Sequence, residues 1–165
     1  MRTLGLVVMI GLCSLGVGCG ELDPRARDSA LVEQFEMDRT GFQDAVDLMT
    51  AEPLIQRVAL TSNGSVSAQP ADADKTRVQA LSEFMEKQGI ESVEASPARP
   101  TTVQFNMYSS GIVTSGQLKS IVFSQAAPDG PVVADTEVEI AKQQDQWRVV
   151  YRRLDEDWYI RNSCC

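Results

Sequence analysis

Val103-Gln104-Phe105-Asn106-Met107-Tyr108 is the stretch on which the fold turns. Val103, Phe105 and Met107 alternate with Gln104, Asn106 and Tyr108, which is the period of a strand with one buried face. Before this stretch the apolar residues recur at helical spacing, and after it they come in short runs broken by turn residues. Helices first and antiparallel strands afterwards predict an α+β layer, with N-terminal helices packed on an antiparallel sheet of about five strands.

Upstream, Leu31, Phe35, Phe42, Val46 and Met49 lie on one stripe of a helix over residues 29–49, with Asp28 or Ser29 as N-cap and Arg39 filling the gap. Gly41 inside it costs about 1 kcal/mol relative to Ala and marks a place for a break or a close approach. Pro53 ends the pattern. A short element follows over residues 54–60, then a loop over residues 61–71 carrying Ser62-Asn63-Gly64-Ser65 and Pro70. A second helix is predicted over residues 72–88, where Val78, Leu81 and Met85 share a face and Gly89 supplies the stop.

Downstream, Ser109-Ser110-Gly111 offers a turn, and residues 112–114 and 118–123 read as further strands. Ala126 to Pro131 is a surface loop. Residues 137–141 and 146–154 read as a hairpin around Lys142-Gln143-Gln144-Asp145, and Asp155-Glu156-Asp157 turns the last strand, residues 158–161, back against it. Strands are expected only after residue 90, and Phe35, Phe42, Val46, Leu81, Phe105, Met107 and Trp158 are expected in the core.

The first residues set the compartment. Arg2 is followed by an apolar run that is too short and too rich in Gly for a membrane span of about 20 residues, which is the form of a secretory signal. Leu15-Gly16-Val17-Gly18-Cys19 resembles a bacterial lipobox, departing from it at Gly16, where Leu is usual. The resemblance implies that residues 1–18 are removed, that Cys19 is acylated and that, with Gly20 next, the chain faces the periplasm from the outer membrane. Simple secretion or a free periplasmic chain is the alternative. Residues 19–28 then form a tether and residues 29–165 a single domain. Loss of Arg2 leaves 14 Lys and Arg against 23 Asp and Glu, a net charge of −9. Such a chain repels phosphate backbones, so no nucleic-acid partner is expected.

Chemistry-bearing motifs are few. The chain contains no His, which excludes Ser-His-Asp and Cys-His nucleophilic sites and His-ligated metals. Its glycines stand outside any phosphate-cradling motif. No catalytic residue, metal ligand or cofactor is therefore assigned. Asp155-Glu156-Asp157 reads as a solvated turn, because consecutive carboxylates point apart. Arg148, Arg152 and Arg153 read as cross-strand partners of that turn and of Glu137 and Glu139. Trp147, Tyr151, Trp158 and Tyr159 read as sheet packing, with a sugar- or peptide-binding platform as the alternative. Cys164 and Cys165 suggest a vicinal or intermolecular disulfide, against two free thiols on a frayed end.

Gly89-Ile90, Gly111 to Gly116 with Lys119, and Val150-Tyr151-Arg152-Arg153-Leu154-Asp155-Glu156-Asp157-Trp158-Tyr159-Ile160 together resemble small uncharacterised envelope lipoproteins of bacteria with the pattern G-x-x-x-S-G … K … Y-R-x-[LI]-x-x-x-W-Y. That pattern has Gly-Tyr after the Lys, where Ser120-Ile121 stand here. The resemblance implies a fold and a compartment, and no activity. A weaker likeness, in the W-x-V strand and the following W-Y-I, is to NTF2-like domains, cone-shaped pockets on a curved sheet.

Two readings follow: a non-catalytic, membrane-anchored module that binds an envelope partner, or an NTF2-like small-ligand pocket or carboxylate-based enzyme. A deep pocket lined by two or more inward carboxylates would mark the second. A solid core with an exposed aromatic patch would mark the first.

Overall fold

The computed structural model describes residues 24–96, 99–112, 115–142 and 148–164. After a turn of 3₁₀ helix at Pro24–Ala26, the elements run α1 (Asp28–Met37), α2 (Arg39–Thr50), β1 (Arg57–Leu60), β2 (Val66–Gln69), α3 (Lys75–Gln88), β3 (Ser92–Ser96), β4 (Arg99–Ile112), β5 (Ser115–Ser124), α4 (Thr136–Ala141), β6 (Arg148–Arg153) and β7 (Trp158–Cys164). The strands form one antiparallel sheet of seven in the order β2-β1-β3-β4-β5-β7-β6. The α+β class is as expected, but the sheet has seven strands rather than about five, and the helices are not all N-terminal, since α3 follows β1 and β2 and α4 follows β5.

Four local readings need correcting. The helix expected over residues 29–49 is two helices, because Asp38 leaves helical geometry (φ −140°) and its carboxylate accepts the Gly41 N–H at 3.3 Å to start α2. A Cβ at Gly41 would meet Asp38 Oδ1 at 2.7 Å, so a larger residue there would push this capping carboxylate aside. The loop expected over residues 61–71 contains β2, which pairs with β1 in register Leu60↔Val66 to Arg57↔Gln69. So strands do precede residue 90. The Thr61 hydroxyl donates to the Ser65 carbonyl at 2.8 Å, and Gly64 supplies the positive φ (+79°) that closes this turn. Ser109-Ser110-Gly111 is no turn: β4 continues through it to Ile112. Finally, Thr136–Ala141 is a helix and not the first strand of a hairpin, because Asp135 accepts the N–H groups of Glu137 and Val138 at 2.9 Å each. Its alternating Glu and Val residues imitate a strand, yet Val138 lies exposed on the helix surface.

α3 follows the reading closely. Asp74 accepts the Arg77 N–H at 2.9 Å, and Gly89 ends the helix in the left-handed region at φ +66°.

Helices α1, α2 and α3 cover one face of the sheet. Phe42 is the hub of the resulting core, with ring centroids 5.7 Å from Phe35, 5.2 Å from Phe84, 5.2 Å from Phe105 and 6.1 Å from Trp158. Of the residues expected in the core, all are buried except Met107, which is half-buried against it. The folded part begins before Ser29, since Ala26 and Asp28 are already buried.

Candidate functional site

Register defines where the helix-covered face changes character. Phe123 pairs with Trp158, Ile121 with Ile160, Lys119 with Asn162 and Gln117 with Cys164, so these four cross-strand pairs line one face in sequence. Two apolar pairs lie under the aromatic core. The next two bring Lys119, Asn162 and Gln117 beneath the junction of α1 and α4, all of them buried.

Lys119 is the centre of that junction. Its side chain is 0% exposed, and Nζ donates to Asp28 Oδ1 at 2.6 Å and to Glu137 Oε1 at 2.8 Å. A buried ammonium costs several kcal/mol of desolvation unless it is paired and hydrogen-bonded, and here two carboxylates meet it. Arg152 from β6 approaches Asp28 Oδ2 at 3.6 Å, so two positive and two negative groups balance.

The two carboxylates also close each other's helices. Glu137, in the first turn of α4, accepts the Asp28 N–H at 2.5 Å, while Asp28, in the first turn of α1, accepts the Thr136 N–H at 2.9 Å and the Thr136 hydroxyl at 2.6 Å. Helix starts carry partial positive charge and orphan N–H groups, so two of them can meet only with acceptors between them. Asn162 extends the network, its Nδ2 donating to Thr136 Oγ1 at 3.2 Å, and its Oδ1 accepting from Gln117 Nε2 at 3.1 Å. Burial pushes the Asp28 carboxyl up, but the bonds from Lys119 and Thr136 outweigh it and hold the group below its ordinary range.

A surface cleft of about 650 Å³ opens elsewhere, between α1, the end of α3 and β4. Ala30, Met37, Met107 and Tyr108 give it apolar walls, and Gln34 and Glu91 give it polar ones. Met37 is 74% exposed, the most exposed of the large apolar residues described. A second cleft, of about 410 Å³, lies between Arg39 and Asp44 of α2 and the Asp155-Glu156-Asp157 turn, with an Arg39–Asp155 ion pair across it.

The residues singled out from sequence are distributed as follows. Cys19, Trp147 and Cys165 lie outside the described residues. Cys164 is disulfide-bonded. Trp158 faces the aromatic core, whereas Tyr151 and Tyr159 pack edge to face at 6.4 Å on the opposite side of the sheet, so these three buried rings form no exposed platform. Asp155-Glu156-Asp157 is the expected turn. The arginine pairing is corrected: Glu137 reaches Lys119 and Glu139 reaches Lys142, both from a helix, and Arg153 donates to the carbonyls of Asp155 and Glu156. Among the described residues, no group of carboxylates and thiols is disposed to hold a metal ion, and no helix is long and apolar enough to cross a membrane.

Sequence reasoning gave Lys119 and Asp28 no shared role. One signal could have found the lysine: it alternates with Ile121 and Phe123 on the apolar face of its strand, where an unpaired ammonium is not tolerated. Compared with protein-family models, with curated proteins and with solved structures, the chain finds no match.

Proposed function

We propose that the chain is a non-catalytic binding or interaction module, anchored through acylated Cys19 in the outer membrane of a bacterial envelope and facing the periplasm. The address rests on the apolar run after Arg2 and on Leu15-Gly16-Val17-Gly18-Cys19, the stretch that resembles a lipobox. The observation that carries the binding role is the filled space between helices and sheet. The rings of Phe35, Phe42, Phe84, Phe105 and Trp158 interlock there and form a solid core. The acidic chain has its recognition surface in the cleft beside Met37, where flexible thioether side chains adapt to a partner.

A carboxylate-based enzyme acting on outside substrates is disfavoured. Asp28 and Glu137 do form a close-set pair, but the buried Lys119 ammonium stands between them. The NTF2-like alternative draws support from the volume of the Met37 cleft, which suits a small apolar ligand.

Photo-crosslinking in intact cells tests the reading, with a reactive residue placed at Met37 or at exposed Val138 on α4. Adducts to an envelope protein at position 37 and not at 138 are expected, with Cys19→Ser releasing the domain from the membrane fraction. Equal labelling at both positions sinks the binding face. Labelling by a small molecule alone selects the pocket reading, and an unmodified Cys19 in the intact mass removes the anchor.

A further inference from the structure

The Lys119 site has the composition and geometry of a self-joining amide. We propose that Lys119 and Asp28 form an intramolecular isopeptide bond, with Glu137 relaying the protons. Nothing in the binding role requires this bond, and it stands or falls separately.

Each part is in place. The nucleophile is Lys119 Nζ, held 2.6 Å from Asp28 Oδ1 with no solvent exposure. The electrophile is the Asp28 carboxyl, whose side chain is 3% exposed. Glu137 Oε1, 2.8 Å from Nζ, is the base that takes a proton from the amine and returns it to the leaving oxygen. On the other carboxyl oxygen, Oδ2, the Thr136 N–H at 2.9 Å and the Arg152 guanidinium at 3.6 Å face the charge that develops when nitrogen attacks carbon. The Thr136 hydroxyl, 2.6 Å from Oδ1, adds a donor to the oxygen that leaves.

The step balances without a co-reactant. An ammonium and a carboxylate become an amide and one water: the Nζ–Cγ bond forms, the Cγ–Oδ1 bond breaks, one proton stays on nitrogen and two leave with Oδ1. The reactive form is the neutral pair, reached by moving one proton from Nζ along its hydrogen bond to Oδ1; the resting pair is ionised, since Asp28 is held below its ordinary range, and burial of both charges lowers the cost of that transfer without reversing it. Fixing amine and carboxyl in contact supplies an effective concentration of about 10⁵–10⁸ M for well-oriented partners, enough to drive an amide that free solution would not form. Burial withholds the water needed for the reverse reaction. Glu137, 30% exposed, marks the side on which the released water exits.

The bond would tie the first turn of α1 directly to β5, an interior strand of the sheet. Tension on the N-terminal segment would then pass into the sheet without unravelling α1.

The test is the intact mass of the full chain as cells produce it, reduced and denatured. A chain lighter by one water than its processed and acylated form, and a branched peptide joining the segment with Asp28 to that with Lys119, are expected. Lys119→Met should restore the full mass. Glu137→Gln should slow joining at least tenfold in a chain that still folds by circular dichroism, and Asp28→Asn should lose ammonia in place of water. Full mass in the native chain, with the Lys119 amine open to acylation after unfolding, overturns the proposal whether or not the variants fold. Joining at the native rate in Glu137→Gln overturns the relay.

Discussion

The two ends of one sheet face are held in opposite ways. Under α2 and α3 the face is covered by rings whose contacts are non-directional, and Phe42 and Trp158 each touch four others. Under α1 and α4, about two residues further along β5, the same face presents Lys119, whose ammonium and its partners are held by directed hydrogen bonds and ion pairs. The aromatic end gains with area and tolerates imperfect geometry. The polar end contributes only while each partner is present, because losing one strands the rest in a dry interior.

The largest expected effect is at the aromatic hub. Phe42→Ala should cost about 3–5 kcal/mol through lost transfer energy and an unfilled cavity. Urea unfolding measures it, and a cost under about 1 kcal/mol would mean that this end is not close-packed.

Lys119→Met should cost about 3 kcal/mol, since Asp28 and Glu137 then lose the ammonium between them and only Arg152, 3.6 Å from Asp28, offsets their charge. Replacing the cluster together, as Lys119→Met with Asp28→Leu and Glu137→Met, should recover most of that loss. If the combined variant is as unstable as the single one, the polar end does not behave as a charge-balanced unit and the contrast with the aromatic end fails.

A smaller effect is expected at Asp38, which caps α2, takes a 2.7 Å bond from Lys87 and is held below its ordinary pKa chiefly by that bond. Asp38→Ala should cost about 1 kcal/mol at pH 7. The folded value is depressed, so this contribution is present above the unfolded value of about 3.9 and is lost as pH falls through the lower folded value. The difference between wild type and variant should therefore close below about pH 4. A constant difference from pH 7 to 2 would contradict it.

The smallest effect is at Met37, whose replacement by Lys should change stability by less than about 0.5 kcal/mol. Crosslinking from a reactive residue placed at Ala30 in the same cleft should be lost all the same. A large stability loss would show that Met37 belongs to the packed end and not to a binding surface.

Legibility in the sequence follows the same contrast. The aromatic end could be read because helix and strand periods alone place Phe35, Phe42, Leu81 and Phe105 on inward faces, and α3 could be read because Asp74 and Gly89 are local signals. The second strand of the β1–β2 hairpin is illegible in the sequence because the Val66 and Ala68 alternation is only four residues long between Gly64 and Pro70, and it becomes a strand through its pairing with β1. α4 was misread because five alternating residues fit a strand, while Asp135 and the α1 junction select a helix. The polar site was missed because its parts stand far apart, at Asp28, Lys119, Glu137 and Arg152, and each has an ordinary surface reading.

By itself the sequence determined the α+β class and the inward residues of the aromatic core, since these depend on periods and caps within a few residues. Only the tertiary structure decided that two helix starts meet over one lysine. That meeting depends on strand register, where β5 sets Lys119 beside Asn162 of β7, and on the packing of α1 against α4 across more than a hundred residues of chain. No local preference encodes it, because a buried ion cluster forms only when all its members are brought out of water together.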